Sequence, residues 1–201
     1  MEYPSKLIGN TIEELSSLPG IGKKTALRLA LHLLNQSEDS VRRFGKTIVD
    51  MREQIKYCKR CHNISDSELC GICSSKTRQH SLVCVVESMR DVLAIENTQQ
   101  FNGVYHVLGG VISPIEGIGP EQLNIGSLID RVEKEQIDEI IMALSPTMEG
   151  DTTVFYVSKK LKEKAVKIST LARGVAFGGE LQYVDEITLA RSLATRRPYE
   201  N

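Results

Sequence analysis

Apolar residues recur at helical spacing through the first third of the chain and in short unbroken runs after it. Ile12, Leu15 and Leu18 form a stripe that predicts a helix over 10–18. Asn10 or Thr11 is its expected cap, with Glu13 and Glu14 in the first turn, where the helix dipole favours acid. Leu18-Pro19-Gly20-Ile21-Gly22 follows, a tight turn in which glycine's backbone freedom is expected at both Gly20 and Gly22. Ala26, Leu27, Ala30, Leu33 and Leu34 predict a second helix from Lys23 to Leu34, and a third, basic helix is expected over 38–56. Beyond residue 80 the period changes. Residues 81–86, 104–108, 139–144, 167–171 and 181–184 read as short strands, the first buried on both faces. Helical patterns at 89–96, 124–135, 152–164 and 187–194 lie among them, and 109–121 reads as a long loop rich in glycine and proline. Strands alternating with helices predict βαβ units and a mainly parallel sheet.

The 201 residues are 41% hydrophobic and 25% charged, the mix of a soluble globular protein with room for one domain or two small ones. Tryptophan is absent and aromatics are only 5%, so the core must be aliphatic. No apolar run approaches the roughly 20 residues that span a bilayer. Residues 1–6 lack the layout of a signal peptide, and a cytoplasmic location is expected. The net charge of −1 hides an asymmetry: residues 1–80 carry 13 basic and 9 acidic side chains, residues 81–201 carry 12 and 17. Segment 20–60 alone has ten basic and four acidic residues. A basic front half suggests a nucleic-acid surface; the plainer reading is a solvated helix face.

Cys58-x2-Cys61 and Cys70-x2-Cys73 are spaced as two tight turns that each supply a pair of thiolates. Together they complete a tetrahedron around zinc and leave no open position, which makes the metal structural rather than catalytic. Free thiols or a redox pair are the alternative, and disulfides are not expected in a reducing compartment. His62 is not needed as a ligand, and Cys84 reads as a small buried hydrophobe. At the glycine turn, the N–H groups of Gly20, Gly22 and the following helix make an anion site suited to a DNA phosphate. Lys24, Arg28 and His32 form a stripe beside it, with Lys23 at the turn itself. The plainer reading is an αα-hairpin with Ile21 plugging its core. Neither Gly22-Lys23 nor Gly45-Lys46-Thr47 has the remaining residues of a nucleotide P-loop. Glu87, Glu149 and Asp151 fall at the carboxyl edge of the expected sheet, where three carboxylates would suit Mg²⁺. Alternatively, Asp151 caps a helix beginning at Thr152 and Glu87 is a solvated strand end. No Ser-His-Asp or Cys-His arrangement suggests itself.

The order of these motifs resembles the bacterial RecR family of recombination mediators over essentially the whole chain. The likeness rests on Leu18-Pro19-Gly20-Ile21-Gly22, the four cysteines, Val86-Glu87, Pro146-Thr147-Met148-Glu149-Gly150 and Gly178-Gly179-Glu180-Leu181-Gln182-Tyr183-Val184-Asp185-Glu186. It implies an α+β/α multi-module chain: a helix-hairpin-helix DNA-binding region over 1–56, a four-cysteine zinc finger over 57–74, a Toprim α/β domain over 80–175 and a Walker-B-like strand–helix segment over 176–201. In the wider Toprim superfamily a glutamate and an Asp-x-Asp pair bind Mg²⁺; here Glu87 and Glu149-Gly150-Asp151 keep the charge and change its reach. The resemblance further implies a non-enzymatic, clamp-like homo-oligomer, a tetrameric ring or a dimer, acting with RecO and RecF to load recombinase at gapped DNA. Lys23, Lys24 and Arg28 carry over as DNA contacts, and the Toprim acids as part of the region that meets RecO. The rival is a Mg²⁺-dependent Toprim-type nuclease using Glu87, Glu149 and Asp151. A third reading is a protein–protein adaptor with incidental charge.

Overall fold

Helix α1 (Lys6–Ser17) begins earlier than its apolar stripe suggests, with Ser5 as its N-cap residue in place of Asn10 or Thr11. Ile8 extends the stripe backwards, and with Ile12 and Leu15 it packs against Ala26 and Ala30 of α2 (Lys23–Leu34). Thr11 sits mid-helix, its hydroxyl donating to the Leu7 carbonyl at 2.9 Å. The two small alanines let the helices approach closely. Helix α3 (Glu38–Gln54) is capped by Ser37, whose Oγ accepts from Ser40 N–H at 3.3 Å, and it buries no residue. Its Val41, Phe44, Ile48 and Met51 instead form a 3-4-3 stripe, the last three exposed.

The computed structural model describes residues 3–175, 178–196 and 198. They divide into two compact units, Met1–Ile55 and Lys56–Asn201. The second unit opens with an antiparallel pair, β1 (Lys56–Tyr57) and β2 (Ile64–Ser65), and the single-turn helix α4 (Gly71–Ser74). Four parallel strands follow in the order β4-β3-β5-β6: β3 Gln79–Val86, β4 Gly103–Val107, β5 Glu139–Met142 and β6 Lys167–Thr170. Helices α5 (Met89–Glu96), α6 (Ile125–Lys134) and α7 (Met148–Leu161) make the crossovers. Side chains alternate along β3: Val83 and Val85 join Ile140, Leu128 and Val157 on one face, while Cys84 and Val86 join Tyr105, Val107 and Val92 on the other. Burying each such aliphatic side chain contributes about 1.5–3 kcal/mol, which is why the unbroken apolar run becomes the central strand. Burial pushes the Cys84 thiol up to about 12, so it behaves as an inert hydrophobe.

Three local expectations are corrected. Residues 181–184 are not a strand: Leu181–Tyr183 make one 3-10 turn with Leu181 and Tyr183 exposed. Asp185 then caps α8 (Glu186–Ala194), its Oδ1 accepting from Thr188 N–H at 2.9 Å, so the C-terminal segment is turn and helix. Of the segment expected to be Walker-B-like, residues 176, 177, 197 and 199–201 lie outside the described residues. Helix α7 begins at Met148 rather than 152 because Thr147 is the cap, its Oγ1 accepting from Gly150 N–H at 3.1 Å. Asp151 is therefore inside the first turn. A Cβ at Gly150 would run into the Ser145 carbonyl, so this helix start can seat only glycine there. The expected loop also carries structure, since Ser113 and Ile118 form an antiparallel bridge ahead of a 3-10 turn at Pro120–Gln122.

Candidate metal centre and nucleic-acid interface

Backbone turns at both ends of the cysteine module bring its sulfurs together. Cys58 N–H donates to Asn63 O at 2.8 Å and His62 N–H to Cys58 O at 2.9 Å, with His62 in the left-handed region at φ 60°. Cys70 caps α4, and Cys73 N–H donates to its sulfur at 3.4 Å; Cys70 N–H donates to Cys58 Sγ at 3.3 Å. All four Sγ atoms lie within 4.8 Å of one another, the one such group among the described residues, and all four cysteines are buried. Cys61 and Cys70 sulfurs are 3.6 Å apart. A tetrahedron with Zn–S bonds of about 2.3 Å has an edge of about 3.8 Å, so the set fits zinc. The close Cys61 and Cys73 side chains hold the Cys70 thiol far below the ordinary range, while the same crowding pushes Cys61 up. A dication would replace the shared protons. His62 is directed elsewhere, its Nε2 against Ser127 Oγ at 2.8 Å.

In the first unit, Gly20 has φ +81° and Ile21 N–H closes the turn onto Leu18 O at 3.1 Å. Gly22 differs from expectation: at φ −80° it is ordinary extended backbone, with open space where a side chain would begin. It is the N-cap residue of α2 and offers no side-chain acceptor, so the first-turn N–H groups face outward uncapped. Lys23, Lys24, Arg28 and His32 are all exposed. Among the described residues no carboxylate pairs with them. Ile21 packs beside Ile12, Ala26 and Ala30, so the hairpin core and the outward turn coexist.

The three acids are not gathered into one group. Half-buried Glu87 accepts from Ser145 N–H at 2.7 Å through Oε1, which fastens the end of β3 to the start of the β5–α7 loop. Glu149 lies in the first turn of α7, its carbonyl taking the Thr153 hydroxyl at 2.7 Å. Asp151 is held by Arg173 through two bonds of 2.5 and 3.2 Å, with Arg191 of α8 4.0 Å away.

Family models match nearly end to end: a RecR helix-hairpin-helix over 8–52, a RecR four-cysteine zinc finger domain over 55–75, a Toprim domain over 81–172 and a RecR C-terminal model over 174–197. The chain is 60% identical over 201 residues to the recombination protein RecR of Cytophaga hutchinsonii, covering 100% of this chain and 98% of that one. It is 59% identical over 199 residues to that of Amoebophilus asiaticus, covering 99% and 100%. The chain belongs to the RecR family. Likewise, 56% identity over 200 residues links it to the RecR protein of Porphyromonas gingivalis, with 100% of this chain and 97% of that one covered.

As a RecR-family chain it carries the zinc-finger and Toprim parts, and the structure adds the bonds that key one to the other. Arg60, between the first two cysteines, makes two bonds to Glu135 at 2.9 and 2.8 Å and a third to His80 at 2.6 Å. Glu135 also accepts from Arg131, whose NH1 donates to the Tyr105 carbonyl at 2.8 Å. Burial alone would push the Glu135 carboxyl up, but the hydrogen bonds from Arg60 and Arg131 outweigh it and hold the pKa low. Cys61 O accepts from Val107 N–H at 2.8 Å, and the His62 ring meets His106 edge-on at 5.3 Å. None of these partners is readable locally, because Arg60 and Glu135 are 75 residues apart.

His106 is fully buried, its Nε2 against Asn124 O at 2.8 Å, and burial lowers its pKa to about 3. An unfolded histidine titrates near 6.5, so between those values the unfolded chain binds a proton that the folded chain refuses. This term's stability is complete above about pH 6.5 and is lost as pH falls toward about 3, by about 1.4 kcal/mol per pH unit. His106→Gln, which keeps an N–H for Asn124, is expected to flatten the pH dependence of urea-unfolding stability between about pH 6.5 and 5. An unchanged slope would contradict the assignment.

The Arg173 hydrogen bonds hold the Asp151 carboxyl below its ordinary range. This pair's contribution is present above the unfolded carboxyl's pKa and is lost as pH falls through the lowered folded value. The Asp151 side chain is 43% exposed, so its removal is worth at most about 1 kcal/mol. Asp151→Ala is nevertheless expected to speed amide exchange across 171–175 and 186–194 selectively, and exchange unchanged there would mean that the pair fastens nothing.

Proposed function

We propose that this chain is a DNA-binding mediator of recombinational repair that turns over no substrate and acts with RecO-like and RecF-like proteins to load recombinase at gapped DNA. The observation that carries the reading is the uncapped N-terminus of α2, flanked by the exposed Lys23, Lys24 and Arg28. Outward N–H groups and exposed cations bind phosphate without reading bases, which suits a protein that must act at any gap. Zinc, held by Cys58, Cys61, Cys70 and Cys73, supplies cross-linking and no chemistry, since four sulfurs leave it no open position. The bare 3-4-3 stripe of α3 supports self-association into a dimer or ring, because such a stripe buries itself against another helix. In this reading Glu87 and Asp151 are fasteners, and the acidic surplus of residues 81–201 receives a basic partner.

The test is retardation of labelled gapped DNA in Mg²⁺ at low and moderate salt, with the RecO-like protein and recombinase added stepwise. A salt-sensitive shift of intact DNA, followed by recombinase loading, is the expected result. Cleavage that disappears in Glu87→Ala would make the protein a nuclease and overturn the reading.

A further inference from the structure

Ile115 is 94% exposed, although the residues three before and three after it belong to the core. Ile112 is buried in the main cluster and Ile118 packs against it. Between them the chain closes a tight hairpin: Ser113 N–H donates to Ile118 O at 3.0 Å and Ile118 N–H to Ser113 O at 2.9 Å. Inside that pair, Glu116 N–H donates to Ser113 O and Gly117 N–H to Pro114 O, at 3.1 and 3.2 Å. Pro114 fixes one backbone angle, and Gly117 takes φ +71°, a conformation in which side-chain-bearing residues are strained. One foot is bolted to α7, since Ile112 N–H donates to Thr153 Oγ1 at 2.8 Å and that hydroxyl donates to Glu149 O. Met148, at the start of the same helix, is 82% exposed. A lone isoleucine on a loose loop needs no explanation. One held out on a hairpin whose ordering is complete before any partner arrives has the features of a binding anchor.

The charge around it selects the partner. Residues 109–122 contain Glu116 and Glu121 and no basic residue, and Glu149 heads the helix that holds the hairpin's foot. Such a surface repels phosphate, which argues against a wedge driven between DNA bases. A symmetric contact with a second copy would set like charges against each other. We propose that the 113–118 hairpin docks a basic protein: Ile115 enters an apolar pocket on that protein, and Glu116 and Glu121 meet its lysines and arginines. The proposal rests on the reading that the acidic half of the chain receives a basic partner, and it names the contact.

The test is calorimetric titration of the full-length protein with the RecO-like protein of the same cell, comparing wild type with Ile115→Ala, Ile115→Glu and Glu116→Lys. An exposed tip carries little folding energy, so the melting temperatures are expected to be unchanged. Affinity is expected to fall about tenfold for Ile115→Ala and further for both charge variants, with gapped-DNA affinity and oligomer size unaltered. Equal affinity in all four proteins would overturn the hairpin proposal and leave the functional reading intact. No binding by the wild type would bring down both. Weakened DNA binding with the partner's affinity intact would make the hairpin a DNA contact, and a change of oligomer size alone would make it a self-interface; either overturns the proposal.

Discussion

Stripping the metal from the four-cysteine module is expected to melt residues 56–75 while the parallel sheet stays folded. The module has almost no apolar interior of its own: its core is the four cysteines, with Ile72 partly buried against them. Its strands are two residues each and its helix is one turn, lengths that hold no structure unaided. Metal binding therefore supplies the folding free energy, of order 10 kcal/mol or more in isolated zinc-binding peptides. Four thiols left behind would repel as anions or bury unpaired protons. Within the intact chain some of that loss is offset, because Arg60, His62 and the Cys61 carbonyl still have partners on the sheet. A net loss of roughly 3–5 kcal/mol would lower the melting temperature by about 10 °C in a chain of this size. Chelation in the presence of a thiol-blocking mercurial, followed by hydrogen exchange, checks both parts of the expectation. Protection should vanish over 56–75 and persist over 82–86 and 139–142. Unchanged melting and unchanged protection would mean that the cysteines hold no structural metal.

Removing two cations from the helix-hairpin-helix is expected to weaken DNA binding without touching the fold. Lys24→Ala with Arg28→Ala takes away two exposed, unpaired charges beside the uncapped α2 terminus, one helical turn apart on one face. Each lost phosphate contact lowers the slope of log affinity against log salt by about 0.9, so the double variant should lose close to two. At moderate salt that corresponds to roughly a ten- to hundredfold loss of affinity, similar on every sequence tested. Stability should move by no more than about 0.5 kcal/mol, since neither side chain is buried. Fluorescence anisotropy on gapped and duplex DNA over a salt series reads both quantities. Affinity and slope equal to wild type would place the DNA contact elsewhere and leave this turn as plain helical packing.

How far the sequence could be read depended on whether the deciding interaction was local. Helix α2 has the bounds that periodicity predicts because its stripe is bracketed by glycine and asparagine, and α5 matches because Ser88 and Asp91 close a capping box three residues apart. The cysteines were legible for the same reason, since C-x2-C is a turn and two turns make a tetrahedron. Start sites with competing caps were not. Thr147 and Asp151 both have side chains suited to capping, and only the fit of Gly150 under the Ser145 carbonyl decides for the threonine. The run Leu181-Gln182-Tyr183-Val184 has strand composition, but a strand requires a neighbour, and the sheet ends at β6. The same blindness applies to Asp151, whose companions Arg173 and Arg191 arrive from 22 and 40 positions downstream. The three acids could be located from the sequence; the engagement of Asp151 with arginine, and of Glu87 with the Ser145 N–H, could not.

Gly150 has a bearing on how this stretch can be compared across organisms. The Ser145 carbonyl already occupies the place where any side chain would begin, so a mutant lineage that fills it must move the β5–α7 loop or lose the helix start. Purifying selection will hold glycine between the two acids through folding alone, whether or not a cation ever visits. The flanking Glu149 is free of that steric constraint, whereas Asp151 is tied to Arg173, so a substitution at 151 reports first on the fastening of the C-terminal segment.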